Sequence, residues 1–262
     1  MKRNRVVKVL PATLLAAVVT SVPVAAEPRP LQIGRADVLP VGTTEFFADA
    51  AYEVGRESRV PGGGPGPGAG DGADYNNLRL GPVGAAHGVD DGLEIGAYFV
   101  FVNNSEDDDG APDESGLQGI TGFMKLALNA HAALEVGVRA GGEDDVAPYP
   151  SDGLDFYVNL PMRRSLGAGL LYGEVGYTVQ DNDIGGSYAN WGVGYAHPMG
   201  TGFHLNVELK GDEAPVAPGN HMDLLFGALL DAGEIRLRPY LGLGLYDASP
   251  DITLGMAVTL RM

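Results

Sequence analysis

Apolar and polar residues alternate with a period of two through most of the chain beyond its first 44 residues. In residues 203–210, Phe, Leu, Val and Leu hold the odd positions, and His, Asn, Glu and Lys hold the even ones. The same alternation runs through residues 235–246 and 252–261. Because successive side chains of a β-strand point to opposite faces, this pattern predicts strands with one apolar and one polar face. No window of comparable length carries the 3.6-residue stripe of an amphipathic helix.

Segments of this kind, each of about 9–12 residues, follow one another along the chain and number about twelve. We place their bounds, to within about 2–4 residues, at roughly 45–56, 75–87, 93–103, 117–128, 132–142, 152–162, 169–179, 187–197, 203–210, 220–230, 234–246 and 251–261.

The connections between these strands are short and long in turn. Those after even-numbered strands are mostly tight and rich in Gly, Asn or Asp, as in residues 89–92 and 231–233. Those after odd-numbered strands are mostly longer, and either acidic or rich in Gly and Pro, as in residues 61–68 and 104–110. A soluble sandwich has no reason to collect its short loops at one end, whereas a transmembrane barrel has short periplasmic turns and long outer loops.

The prediction is therefore an all-β fold: a closed, antiparallel, up-and-down transmembrane β-barrel of about 12 strands, formed by residues 45–262. Closure is required because an open sheet edge would leave backbone groups unpaired in hydrocarbon. The alternative is a secreted β-sandwich, in which the apolar face would pack in a core.

The N-terminus predicts export. Residues 1–26 combine a basic start, a short apolar stretch and a small-residue site, Val-Ala-Ala, at residues 24–26, which is typical of a cleaved signal peptide. The mature chain would then begin at Glu27. Residues 27–44 are assigned as a periplasmic N-terminal segment, and a plug inside the barrel is the alternative for them.

Charge and composition narrow the function classes. The chain has 17 Lys and Arg against 34 Asp and Glu, a net charge of −17, and no Cys. The signal segment holds four of the basic residues and no acidic one, so the mature chain carries −21. This acidity argues against nucleic acid as a partner, and without Cys no disulfide or thiolate metal site can form.

Residues 88–96, Gly-Val-Asp-Asp-Gly-Leu-Glu-Ile-Gly, resemble a turn-and-strand sequence that is frequent in the outer-membrane transporter family associated with phenol (aromatic compound) degradation pathways. The layout of the whole mature chain is likewise similar to a bacterial outer-membrane β-barrel protein. The resemblance implies a location in the cell outer membrane and insertion by the barrel assembly machinery. Such barrels usually end in an aromatic residue, whereas this chain ends in Met262, a departure that bears on assembly rather than on fold.

The polar face of the strands carries charges of both signs, and in a barrel it would face the lumen. Arg236, Arg238 and Arg261 lie on the last two strands and would form a basic ladder suited to anions, with the acidic first strand beside them. Two alternatives stay open: a charged, water-filled pore that selects solutes, or a lumen filled by mutually paired charges. The residues predicted to line the pore are Arg79, Glu94, Lys125, Glu135, Arg139, Glu174, Glu208, Lys210, Arg236, Arg238 and Arg261.

These features predict a passive channel or transporter for small polar or amphipathic solutes. The alternative is a structural or surface-interaction barrel with a filled lumen and functional acidic outer loops. None of the five His residues has a Ser two positions further along the chain, and no Ser/His/Asp triad can be assembled from the sequence. An enzyme is therefore not expected. No metal or cofactor is expected either. The expected partners are outer-membrane lipid, lipopolysaccharide bridged to the acidic loops by divalent cations, the assembly machinery and a small solute.

Overall fold

The computed structural model describes residues 31–57, 74–106, 114–141, 153–180, 187–213, 220–246 and 249–262. These residues form twelve β-strands and contain no helix. No helix long and apolar enough to cross a membrane occurs in this part of the chain. The strands are β1 (Thr44–Glu57), β2 (Asp74–Asp90), β3 (Leu93–Glu106), β4 (Glu114–Asn129), β5 (Ala132–Ala140), β6 (Leu154–Leu166), β7 (Gly169–Val179), β8 (Tyr188–Gly200), β9 (Phe203–Glu213), β10 (His221–Ala232), β11 (Ile235–Gly244) and β12 (Ile252–Arg261).

Every strand pairs antiparallel with its neighbours in sequence, and β1 pairs with β12 to close the sheet into a barrel. The closing register places Glu45 opposite Arg261 and Val54 opposite Ile252. The closed, antiparallel, up-and-down barrel of twelve strands confirms the fold class that the alternation predicted.

The turns after even-numbered strands are tight, and glycine shapes them. Gly92, Gly202 and Gly233 have φ values of 84°, 70° and 82°, in the left-handed region that residues with a Cβ rarely occupy. The undescribed residues between strands all fall in connections after odd-numbered strands. The Gly- and Pro-rich residues 61–68 therefore lie outside the described residues, as does most of the acidic stretch 104–110.

The two faces of the barrel have opposite chemistry. Outward side chains are apolar and accessible, as at Leu254 and Val175, which are 56 % and 51 % exposed. Inward side chains are polar and buried, as at Glu208 and Glu94, which are 0 % and 1 % exposed. A protein whose apolar face is turned outward needs an apolar solvent around it, and a lipid bilayer supplies one.

A bulge in β2 changes the phase of the alternation within that strand. The pairing of β2 with both β1 and β3 shifts in register where β2 passes through Gly81 and Pro82. Before this bulge the odd-numbered Asn77 and Arg79 point inward, and after it the even-numbered Pro82 and Ala86 do so. A β-bulge inserts an extra residue and so exchanges the two faces of the strand beyond it.

The N-terminal segment corrects one assignment. Residues 31–43 are the described part, before β1, of the segment assigned to the periplasm. They lie inside the barrel and run from the lumen, at residue 31, to the short-turn end, at residue 43. Leu31, Ile33 and Leu39 are almost completely buried there. The backbone amides of this segment find acceptors on the barrel wall, and these bonds join residues up to 177 positions apart in the chain. Such pairs cannot be read from the sequence. This placement corresponds to the plug alternative.

Candidate functional site: the barrel lumen

The residues predicted to line a pore point into the lumen. Eight of the eleven border the two cavities there, namely Arg79, Glu94, Lys125, Glu135, Arg139, Glu174, Lys210 and Arg238. Glu208 is completely buried against the N-terminal segment. Arg236 and Arg261 lie at the short-turn end, where each pairs with an acidic side chain.

Ion pairs join the strands across the inner wall. Lys125 Nζ lies 2.9 Å from Glu135 Oε2, and Lys210 Nζ lies 3.6 Å from Asp223 Oδ2. Arg139 donates to Asp155 on the neighbouring strand β6. Buried charges such as those of Lys125 and Asp155 are stable only when they are paired, because desolvation of an isolated charge costs several kcal/mol.

The three arginines of the last two strands do not form a free basic ladder. Arg236 Nε donates to Asp231 Oδ2 at 2.7 Å, and Arg261 Nη2 donates to Glu45 Oε2 at 3.1 Å. Arg238 Nη2 donates to the hydroxyl of Thr259 at 3.3 Å. The closing register explains the pair with Glu45, because it places that residue directly opposite Arg261. A wall of paired arginines offers less attraction to anions than the ladder would have done.

A second set of luminal groups escaped the sequence analysis: buried tyrosines that hydrogen-bond to carboxylates. The Tyr240 hydroxyl donates to Asp49 at 3.0 Å and accepts a bond from Gln32 Nε2 at 2.7 Å. The Tyr157 hydroxyl donates to Glu135, and the Tyr172 hydroxyl donates to Glu208; these two bonds are 3.0 and 2.8 Å long. Tyr240 falls on the polar face of its strand in the alternating pattern, and this position was the sequence feature that could have indicated a luminal side chain.

The N-terminal segment is tied to the wall by three glutamates on three different strands. Glu94 accepts bonds from Arg35 Nη2 at 2.5 Å and from the amide of Leu39 at 2.9 Å. Glu174 accepts the amide of Gly34 at 2.9 Å.

The third glutamate, Glu208, binds the inner end of the segment. It accepts the amides of Leu31 and Gln32, the latter at 3.0 Å. These contacts satisfy backbone groups that would otherwise be unpaired inside the barrel.

Arg35 is the basic side chain of residues 31–43, the described part of this segment before β1. Burial lowers its pKa, but the charges of Glu94, Asp37 and Glu45 together outweigh the burial and raise the pKa above its ordinary value. The guanidinium is therefore charged and lies among the carboxylates of Glu94, Asp37 and Glu45.

Space remains on both sides of the segment. A cavity of about 360 Å³ lies against residues 31–35, and one of about 430 Å³ lies nearer the long-loop end. Eight acidic and six basic side chains border these two cavities, beside rings such as those of Phe47, Tyr98 and Phe123. A third cavity, of about 300 Å³, lies at the short-turn end against residues 36–41. The lumen is thus polar, slightly acidic and narrow, and partly aromatic on one side.

Metal ligation has no support in the described residues, among which no group of three or more His, Cys, Asp or Glu is arranged to hold an ion. The inner carboxylates are instead bonded to basic side chains, tyrosines and backbone amides.

Comparison with proteins of known structure identifies the type of fold. No family model matches the chain, and no curated protein matches it in sequence. An outer-membrane channel from Pseudomonas putida F1 is similar in structure, with a TM-score of 0.61 and 16 % identity over 90 % of this chain and 100 % of that one. The β domain of the Bordetella autotransporter BrkA is similar with a TM-score of 0.59 and 13 % identity, over 83 % of this chain and 98 % of that one. This chain therefore has the fold of outer-membrane β-barrel proteins.

Proposed function

We propose that this protein is a passive channel of the bacterial outer membrane for small polar or amphipathic solutes. The observation that carries the proposal is a closed twelve-strand barrel with an apolar outer face and a charged lumen that contains cavities of about 360 and 430 Å³. The similarity to an outer-membrane channel over the full length of that channel supports it.

The lumen suggests the class of solute. Charged groups of both signs and aromatic rings border the same cavities, so a solute with a polar group and a flat apolar part finds partners for both. The excess of acidic over basic groups favours cationic or neutral solutes over anions. The resemblance of residues 88–96 to transporters associated with aromatic-compound degradation agrees with an amphipathic solute.

Further parts of the proposal concern delivery and surroundings. The signal peptide of residues 1–26 would be cleaved during export, and the assembly machinery would insert the barrel. Lipid would cover the outward face, and divalent cations would bridge the acidic outer loops to lipopolysaccharide. The role is transport rather than catalysis.

The experiment is conductance of the purified, refolded protein in planar bilayers, together with swelling of vesicles in solutes of graded size and charge. We expect discrete conductance steps and faster uptake of small cationic and neutral solutes than of anions. A barrel that is correctly folded yet persistently silent in both assays would contradict the channel.

A structural or surface-interaction barrel is the second candidate, because the luminal charges are extensively paired and a chain segment occupies part of the lumen. In that case the acidic loops would be the functional part. Deleting residues 107–113 should then abolish surface binding without altering permeability, and the reverse result would favour the channel.

A further inference from the structure

The N-terminal segment has a cavity on each side. Residues 31–35 border the 360 Å³ cavity, and residues 36–41 border the 300 Å³ cavity at the short-turn end. We propose that residues 31–39 are a resident plug that keeps the two compartments apart, and that Glu94, Glu174 and Glu208 both clamp this plug and give the opened pore its cation selectivity. This inference rests on the proposed channel function.

The three clamping glutamates bond to the N-terminal segment rather than to basic side chains of the barrel wall. Other luminal acids, such as Glu135 and Asp155, pair with basic side chains of neighbouring strands. Among the described residues, Glu94, Glu174 and Glu208 have no ion pair with a basic side chain of the barrel wall. Their partners are the segment's backbone amides and Arg35, with Tyr172 as an additional donor to Glu208.

Two niches in the wall receive apolar side chains of the segment. A Cβ atom at Gly227 would lie 2.7 Å from Leu31 Cδ2, and one at Gly192 would lie 2.7 Å from Ile33 Cγ1. Side chains at these two wall positions would displace the segment, so glycine there leaves room for it. Polar clamps and apolar niches together make a docking surface for this stretch of chain.

The same three glutamates also determine the selectivity of the pore once the plug has left. The two compartments join, which widens the path. Arg35 and Asp37 leave together, so the net charge of the lumen is unchanged, but Glu94 loses the guanidinium that neutralised it. The carboxylates of Glu94, Glu174 and Glu208 then lose the bonds donated by the segment, and Tyr172 stays as a donor to Glu208. A ring of carboxylates favours cations in a pore, so the opened barrel should conduct more current and select more strongly for cations.

The first test deletes residues 31–39 from the otherwise complete protein and compares it with the wild type in planar bilayers under a potassium chloride gradient. Folding of both is checked by heat-modifiable gel mobility. We expect a several-fold rise in conductance and a reversal potential shifted towards that of potassium. Adding E94Q/E174Q/E208Q to the deletion should remove the shift in selectivity and keep the higher conductance.

The second test keeps the whole chain and holds the plug in place. The sequence has no Cys, so Ile33→Cys with Gly192→Cys introduces the sole thiol pair, at positions close enough for a disulfide. We expect the disulfide to form in the folded barrel, and conductance in oxidant to stay at or below the wild-type level. Gly192→Leu, which fills the niche, should raise conductance, whereas Gly122→Leu, which points into open space, should not.

The outcomes separate the inference from the function on which it rests. If the wild type and the folded deletion variant conduct equally, the plug is refuted and the channel stands. If both are silent, the channel function is refuted and the plug with it. A thiol pair that stays reduced under oxidant in the folded barrel would refute the placement of the segment.

Discussion

Replacing Met256 by Arg tests whether the outward face of the barrel contacts hydrocarbon. Met256 is the fifth of ten residues in β12, and its side chain is 42 % exposed on the outer face. Ten residues that rise about 3.3 Å each along a strand tilted by about 40° cover roughly 25 Å of the membrane normal, which is the height of the apolar band. Met256 therefore lies close to the midplane of the bilayer.

Met199 is the matched control. It carries the same side chain on the same outward face, with 56 % exposed, but it lies next to last in β8 at the short turn. Arginine on the lipid face costs about 2–4 kcal/mol at the midplane and about 0–1 kcal/mol near the interface. Met256→Arg should therefore lower the free energy of unfolding by about 2–3 kcal/mol more than Met199→Arg, a difference of about 30- to 150-fold in the folding equilibrium.

The measurement is reversible unfolding in urea with the protein inserted in phosphatidylcholine vesicles, followed by the fluorescence of Trp191, the single tryptophan. Both variants should keep the slope of the unfolding transition, since neither changes the surface exposed by unfolding by much. If the two substitutions cost the same, the depth argument fails. If neither costs anything, the outward face of β12 does not contact lipid.

Three further predictions concern the inner wall and closure. Gly137→Val should lower the free energy of unfolding by about 1–3 kcal/mol, because the new side chain would collide with a neighbouring tyrosine ring. Gly122→Val, which has open space around it, should change the free energy of unfolding very little in the same experiment. Tyr240→Phe should lower the free energy of unfolding by about 1–3 kcal/mol, because Asp49 loses a buried hydrogen-bond donor. The control is Tyr52→Phe on the outward, exposed face, and equal effects of the two substitutions would contradict the luminal role of Tyr240. Unboiled protein should migrate differently from boiled protein on a detergent gel, and identical mobilities would argue against a closed barrel.

Much of the barrel could be predicted because β-strand geometry is local. Side chains alternate between faces whatever the strand pairs with, so Leu205 and Val207 could be assigned outward and Asn206 and Glu208 inward from their order alone. The short turns were equally visible, since a residue such as Gly233 marks a backbone conformation that the turn itself requires.

The phase of β2 could not be predicted beyond its bulge. The shift at Gly81 and Pro82 exchanges the two faces of the strand, and the small residues on both sides carry too little contrast to reveal it. Only the pairing of β2 with its two neighbours settles that Arg79 and Ala86, an odd and an even position, share the inner wall.

Outside bulges such as that of β2, the sequence by itself determined which residues face lipid and which face the lumen, because that division follows from the period of a strand and the need of apolar side chains for an apolar solvent. Only the tertiary structure decided how the lumen is filled. The amides of Leu31 and Gln32 meet Glu208 across more than 170 residues, and Arg261 meets Glu45 across the barrel seam. Such contacts depend on closure of the sheet, which brings distant strands together, and no local pattern encodes which carboxylate will receive which donor.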